Sequence, residues 1–140
     1  MILNNPIFIN QTDADVRYVN TTGDNMTGPL GLNNNNLFAY SAQLINETTN
    51  FIISGNDNGR IIIANSSTQI TGTIVSGNTT GFNTSIIQIG AGQIQITGAG
   101  IGIRIDSYNN QYKTAGQFAT ASVLHTGSNG YIMYGNTTLW

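Results

Sequence analysis

Ile94-Gln95-Ile96-Thr97-Gly98-Ala99-Gly100-Ile101-Gly102-Ile103-Arg104-Ile105-Asp106 sets the pattern for the whole chain. Ile94 and Ile96 alternate with Gln93, Gln95 and Thr97, and Ile101, Ile103 and Ile105 alternate with Gly102, Arg104 and Asp106. Period two gives one apolar and one polar face, the signature of a half-buried strand. β-Branched side chains are stiff at χ1 and sit better on a pleated sheet than in a helix. Outward from this segment the pattern continues. Ile87 and Ile89 flank Gln88 with the same period, which reads as Ile87 and Ile89 on the apolar face and Gln88 on the polar one. Fifteen of the 20 Ile lie in residues 52–105, beside ten Gly and one aromatic, Phe82. Asn and Gly clusters punctuate them at Ser54–Gly59, Ser76–Asn78 and Gly98–Gly100; these are turn formers, because Gly accepts positive φ and Asn and Asp bond their own backbone. The reading is all-β, with six to eight short strands of four to seven residues in the middle stretch, and at most a turn or two of helix at 41–48.

Composition removes several classes. Of 140 residues, 72 are Asn, Thr, Gly, Ser or Gln, and only ten are charged, four basic and six acidic. A net charge of −2 with scattered cations does not make the basic footprint of a nucleic-acid binder. No apolar run approaches the roughly 20 residues of a membrane span, and Met1–Pro6 lacks the basic and apolar regions of a secretory signal. Without Cys there is no disulfide framework and no thiolate metal site. Eight Asn-x-Ser/Thr sequons follow from composition alone.

Between Arg60 and Arg104 there are 43 positions without a charge. Such Ile-rich strands aggregate if their edges are open. A closed sandwich or barrel covers edges within one chain; intertwined chains cover them between copies, and the lack of charged gatekeepers favours the second. A faint echo (Ile53-Ser54-Gly55, Ile63-Ala64-Asn65, Ile70-Thr71-Gly72, Val75-Ser76-Gly77, Ile96-Thr97-Gly98) recurs at spacings of 10, 7, 5 and 21. With no fixed coil length, a regular solenoid is not expected.

Residues 13–30 carry Asp15, Arg17, Tyr18, Val19, Asn20, Gly23, Asp24, Met26, Thr27, Gly28, Pro29 and Leu30 at fixed spacing. This segment resembles one that recurs in bacteriophage tail-fibre proteins. The resemblance covers about an eighth of the chain and implies a virion protein of the fibre type, a homotrimer. Arg17, Tyr18, Val19, Met26, Pro29 and Leu30 are then the residues of the trimer or joint motif. Tail fibres often repeat the segment and run much longer, so a short fibre is implied. Residues 130–139 loosely resemble the closing strand of a fibre head.

Candidate chemistry is sparse. Polysaccharide hydrolysis needs two carboxylates about 5 to 9 Å apart. Asp13, Asp15 and Asp24 belong to the fibre-like segment, Asp57 sits in an Asn/Gly turn, Asp106 faces Arg104 across one residue, and Glu47 stands alone. No catalytic residue is assigned. His125, the single His, reads as a strand-end residue; only a trimer axis, where three copies or the run Asn33–Asn36 could meet, would make a metal site, and no metal or cofactor is expected. Tyr108, Tyr112, Tyr131, Tyr134 and Trp140 concentrate aromatic surface in the last 35 residues and are the candidate ligand-facing set, since aromatic faces suit sugar rings.

The expected organisation is an anchoring strand at 1–12, a tail-fibre-like joint at 13–36, an intertwined β-shaft at 37–105 and a small aromatic head at 106–140. Ile2, Leu3, Ile7, Phe8 and Ile9 would dock on another virion protein. The function expected is structural and non-catalytic: a short trimeric surface fibre of the phage tail, for adhesion to a host-surface glycan or display. A capsid-mounted head fibre or decoration protein is the alternative, ahead of a soluble glycan-binding module or a tailspike hydrolase. Nucleic-acid binding and membrane insertion are not expected.

Overall fold

The computed structural model of the chain describes residues 41–139, and these are all-β. Its strands are β1 (Leu44–Glu47), β2 (Phe51–Ile53), β3 (Ile61–Ala64), β4 (Ile70–Ile74), β5 (Asn83–Gln88), β6 (Ile94–Gly98), β7 (Arg104–Ser107), β8 (Lys113–Thr114), β9 (Thr120–Gly127), β10 (Gly130–Gly135) and β11 (Thr137–Thr138). The helical turn considered at 41–48 is instead β1. Its backbone is taken up by pairing, with Ile61 N donating to Gln43 O at 3.0 Å and Asn65 N to Glu47 O at 2.8 Å. The alternation through Ile101 also breaks: Gly100 and Gly102 adopt φ of 81° and 102°, so a turn ends the run and β7 starts at Arg104.

Two sheets form, one in the order β1-β3-β5-β9-β10-β7 and one in the order β11-β8-β6-β4-β2. The first six strands alternate between them. β1, β3 and β5 pair in parallel, as do β2, β4 and β6, which makes three stacked coils of a β-solenoid. Equivalent residues stack as Ile45–Ile62–Ile86 and Ile53–Ile74–Gly98. The coils therefore differ in length, 17 then 24 residues on one wall and 21 then 24 on the other. This corrects the expectation from the echo at Ile53, Ile63 and Ile70. Ile63 lies on the six-stranded sheet while Ile53 and Ile70 lie on the five-stranded one, so their spacings compare different walls of the coil.

After β6 the winding stops. β9 runs antiparallel to β5 and β10 to β9, while β8 pairs antiparallel with β6 and β11 with β8. These strands cover the last coil's edge within the same chain, which an open parallel edge requires. The divide expected at 105/106 is not present: Ala121, Val123, Tyr131 and Met133 share one buried core with Ile53, Ile62, Ile74, Ile86 and Ile94. One compact unit starts at Ser41.

Coil stacking is closest at the corner between β5 and β6. Gly92 N donates to Ser66 O at 2.8 Å, and a Cβ placed on Gly90 or Gly92 would overlap the backbone of Ser66 or Thr68 in the coil beneath. A polar network closes the core beside this corner. Thr114 Oγ1 accepts from Ile94 N at 2.8 Å and donates to Gln88 Oε1, while Gln88 Nε2 donates to Gly90 O at 2.9 Å. Gln88 and Thr114 are fully buried, and these partners supply what water would otherwise provide. Asp57 does the turn work read from the sequence: its Oδ2 accepts from Ser54 N at 2.8 Å across a 3-10 turn.

Candidate functional site

Side chains alternate across a strand, so each sheet has an inner face on the core and an outer one. On the six-stranded sheet the outer residues align in three rows by register: Asn46-Ile63-Ile87-Thr120, Leu44-Ile61-Ser85-Ser122-Tyr134 and Asn83-Leu124-Ile132-Asp106. The first two rows carry no charge. Ser85 Oγ and Ser122 Oγ bond each other at 2.9 Å, which removes polarity from the middle of the face. Leu44, Ile132 and Tyr134 are 63%, 43% and 52% exposed. Arg104 and Asp106 pair at 2.9 Å on β7, the edge strand, as their spacing suggested.

The five-stranded sheet is different. Its outer face presents Ile52, Thr71, Thr73, Gln95, Thr97 and Lys113. Here Gln69 Nε2 donates to Gln95 Oε1 at 2.9 Å, and the Thr73 and Thr97 hydroxyls lie 3.4 Å apart. The middle of the six-stranded wall is thus uncharged and largely apolar outside, with Arg104 and Asp106 at its β7 edge, and the five-stranded wall is mostly hydroxyl- and amide-covered, with Ile52 and Lys113 among them.

The apolar wall was missed by the alternation reading, which put Ile87 and Ile89 on one apolar side around polar Gln88. In the structure the parity of β5 is the reverse. Thr84, Ile86 and Gln88 point inward and are buried, while Ser85 and Ile87 point outward. The available signal was the runs Ile61-Ile62-Ile63 and Ile86-Ile87, since consecutive apolar residues give a strand two apolar faces.

The aromatic set divides. Tyr131 is fully buried and does not face a ligand; its ring stacks on His125 with centroids 4.5 Å apart, and its hydroxyl accepts from Asn78 Nδ2 at 3.0 Å. Tyr131 and Met133, two residues apart, share the inner face of β10, where a large ring fills the core. Tyr112 is half-buried and lines a cleft of about 250 Å³ with Ile96, Ile103 and Ile105. Tyr108 and Tyr134 are exposed. Tyr134 is near the end of β10, and Tyr108 directly follows the pair Met133–Ser107, so both lie at one end of the six-stranded sheet. Phe118, just ahead of β9, lies at that same end and is 73% exposed.

Phe118 has φ of 67°, a left-handed conformation costly for a bulky residue. It is held there by three bonds: Phe118 N to Gln88 O at 2.6 Å, Ala119 N to Gly116 O at 3.0 Å and Gln88 N to Ala119 O at 3.0 Å. A shallow groove of about 370 Å³ lies beside it, lined by Ala115, Gly116, Gln117, Ala119 and Asn136. Gln117 Nε2 donates to Ile89 O at 2.9 Å.

His125 is a buried residue near the end of β9, as read, with Nδ1 2.9 Å from Thr79 O. Among the described residues no group of three His, Asp or Glu is arranged to hold a metal. Asp57 and Asp106 are occupied by Ser54 and Arg104. No helix of the described residues is long and apolar enough to cross a membrane.

Ile2, Leu3, Ile7, Phe8 and Ile9, the motif residues Arg17, Tyr18, Val19, Met26, Pro29 and Leu30, and Trp140 lie outside the described residues. The chain matches no protein-family model, no curated protein and no solved structure.

Proposed function

We propose that this chain is a non-catalytic structural protein of a bacteriophage particle, a short trimeric surface fibre of the tail that adheres to host-surface glycan. The observation that carries the adhesive part is the exposed aromatic end of the six-stranded sheet, Phe118 with Tyr108 and Tyr134, beside a groove edged by Gln117 and Asn136. Flat rings next to amide groups suit the two sides of a sugar, its C–H face and its hydroxyls. The fibre part rests on the resemblance of residues 13–30. Three copies would turn weak single-site contacts into firm attachment.

Light scattering on the purified chain tests the assembly, with about 45 kDa expected, three times the 14.9 kDa chain. Binding to a panel of immobilised bacterial surface polysaccharides tests adhesion. Phe118→Ala should weaken capture about tenfold, near 1.4 kcal/mol per site, and leave the mass unchanged. A mass near that of one chain overturns the fibre, and release of reducing ends from a polysaccharide overturns the non-catalytic reading.

A further inference from the structure

We infer that the groove beside Phe118 takes a sugar carrying an acetamido group, an N-acetylhexosamine unit of a glycan. This rests on the adhesive reading above and names the class of sugar. The loop that forms the groove is built at a cost. Phe118 holds a bulky ring at φ of 67° while 73% exposed, where the fold gains little from it. Glycine takes that backbone without strain, so the ring is there for what it touches outside the chain. The loop is also fixed before any ligand arrives. Phe118 N donates to Gln88 O at 2.6 Å, Gln88 N to Ala119 O at 3.0 Å and Gln117 Nε2 to Ile89 O at 2.9 Å, which ties the loop to the end of β5. A surface already ordered loses little entropy on binding.

Those bonds also decide what the groove offers. Gln117 spends its Nε2 on Ile89 O, which leaves Oε1 as an acceptor. Asn136 has its backbone N–H on Thr120 O at 2.7 Å and its C=O on Ala115 N at 2.9 Å, so its side-chain amide is what it offers to the groove it lines. Ala115 and Ala119 add methyl groups. None of the lining residues is charged, which favours a neutral ligand. An acetamido group is neutral and uses each of these features. Its N–H donates to Gln117 Oε1, its carbonyl accepts from Asn136 Nδ2 and its methyl packs on Ala115, while the C–H face of the sugar ring lies on Phe118. A hydroxyl at the same carbon brings one polar atom instead of two and no methyl.

Saturation-transfer difference NMR titrations on the full chain test this, with N-acetylglucosamine and N-acetylgalactosamine against glucose, galactose and glucuronic acid. The N-acetyl sugars should bind about tenfold tighter than the parent hexoses, from the added hydrogen bond and methyl contact, with the strongest transfer at the acetyl methyl. Asn136→Ala should bring the N-acetyl sugars down to the hexoses. Phe118→Gly should lose transfer to every sugar and melt no lower than wild type, because the strain at that backbone is relieved. Hexoses that bind as well as the N-acetyl sugars overturn the inference and leave the adhesive reading standing. Glucuronic acid ahead of both overturns it too, since the site then takes an acid. An Asn136→Ala chain that keeps the preference, or a Phe118→Gly chain that keeps its transfer or melts lower, also overturns it. No transfer from any of these sugars overturns the inference, and a lack of capture on the polysaccharide panel as well overturns the adhesive reading with it.

Discussion

Gly92→Ala isolates coil stacking from every other feature of the fold. Gly92 is buried and its φ lies outside the left-handed region, so alanine suits its backbone and the only obstacle is space. The new methyl would overlap the carbonyl of Thr68 in the coil below, which also puts it 2.8 Å from Thr68 N. Real contacts of this kind do not fall under 3.0 Å, so the two corners must part by about an ångström. Three bonds tie them together: Gly92 N to Ser66 O at 2.8 Å, Ile89 N to Ala64 O at 2.9 Å and Ile70 N to Gln93 O at 3.0 Å. Losing most of their net value costs about 2–3 kcal/mol, and the strain of overpacking adds about 1–3 kcal/mol. A Gly→Ala change returns about 0.4–1 kcal/mol through the unfolded chain. The net is a destabilisation of about 3–5 kcal/mol, a large part of the about 5–15 kcal/mol that holds a domain folded. At about 4–8 °C per kcal/mol for a unit of this size, Tm should fall by at least about 12 °C. Gly116→Ala is the control: nothing lies within 4 Å of its added Cβ, and its φ is not left-handed. It should change stability by no more than about 0.5 kcal/mol. Differential scanning fluorimetry and urea unfolding read both. A Gly92→Ala protein melting within about 3 °C of wild type, well under the shift of about 1 kcal/mol, would refute the stacking of residues 66–68 under 90–92.

Two further outcomes follow from the core and the surface. Thr114→Val keeps shape but leaves Ile94 N–H and Gln88 Oε1 buried without partners, and should cost about 2–5 kcal/mol in urea unfolding; adding Gln88→Leu should recover part of the loss, since the second orphan disappears. Arg104→Ala breaks an ion pair whose side chains are 75% and 55% exposed, and should change the free energy of urea unfolding by less than about 0.5 kcal/mol, less again in high salt.

What was legible follows from local physics. Ile94 and Ile96 do point inward with Gln95 and Thr97 outward, because alternation around β-branched residues leaves one sensible way to lie on a core. Asp57 in its Asn/Gly turn and the Arg104–Asp106 pair were also readable, being contacts two or three residues apart. Phe118 was harder. Its exposure and left-handed φ come from bonds to Gln88 and Gly116, and the first of these is thirty residues away. Tyr131 looked the same as Tyr134 in sequence, yet a difference of three positions puts them on opposite faces of β10.

The sequence by itself determined an all-β chain of short strands, with few charges and turns at its Asn and Gly clusters. Those properties depend on residues close together, through side-chain stiffness, alternation and backbone bonding in turns. Only the tertiary structure decided that the strands wind as stacked coils, that Gln88 lies inside and Ile87 outside, and that β8 to β11 cap the stack instead of forming a head. Strand parity is set by which face finds partners: Gln88 is buried because Thr114 and Gly90 meet its amide, and neither can be chosen by a local pattern. Coil length is equally non-local, since loops of different size still bring Ile45, Ile62 and Ile86 into one ladder.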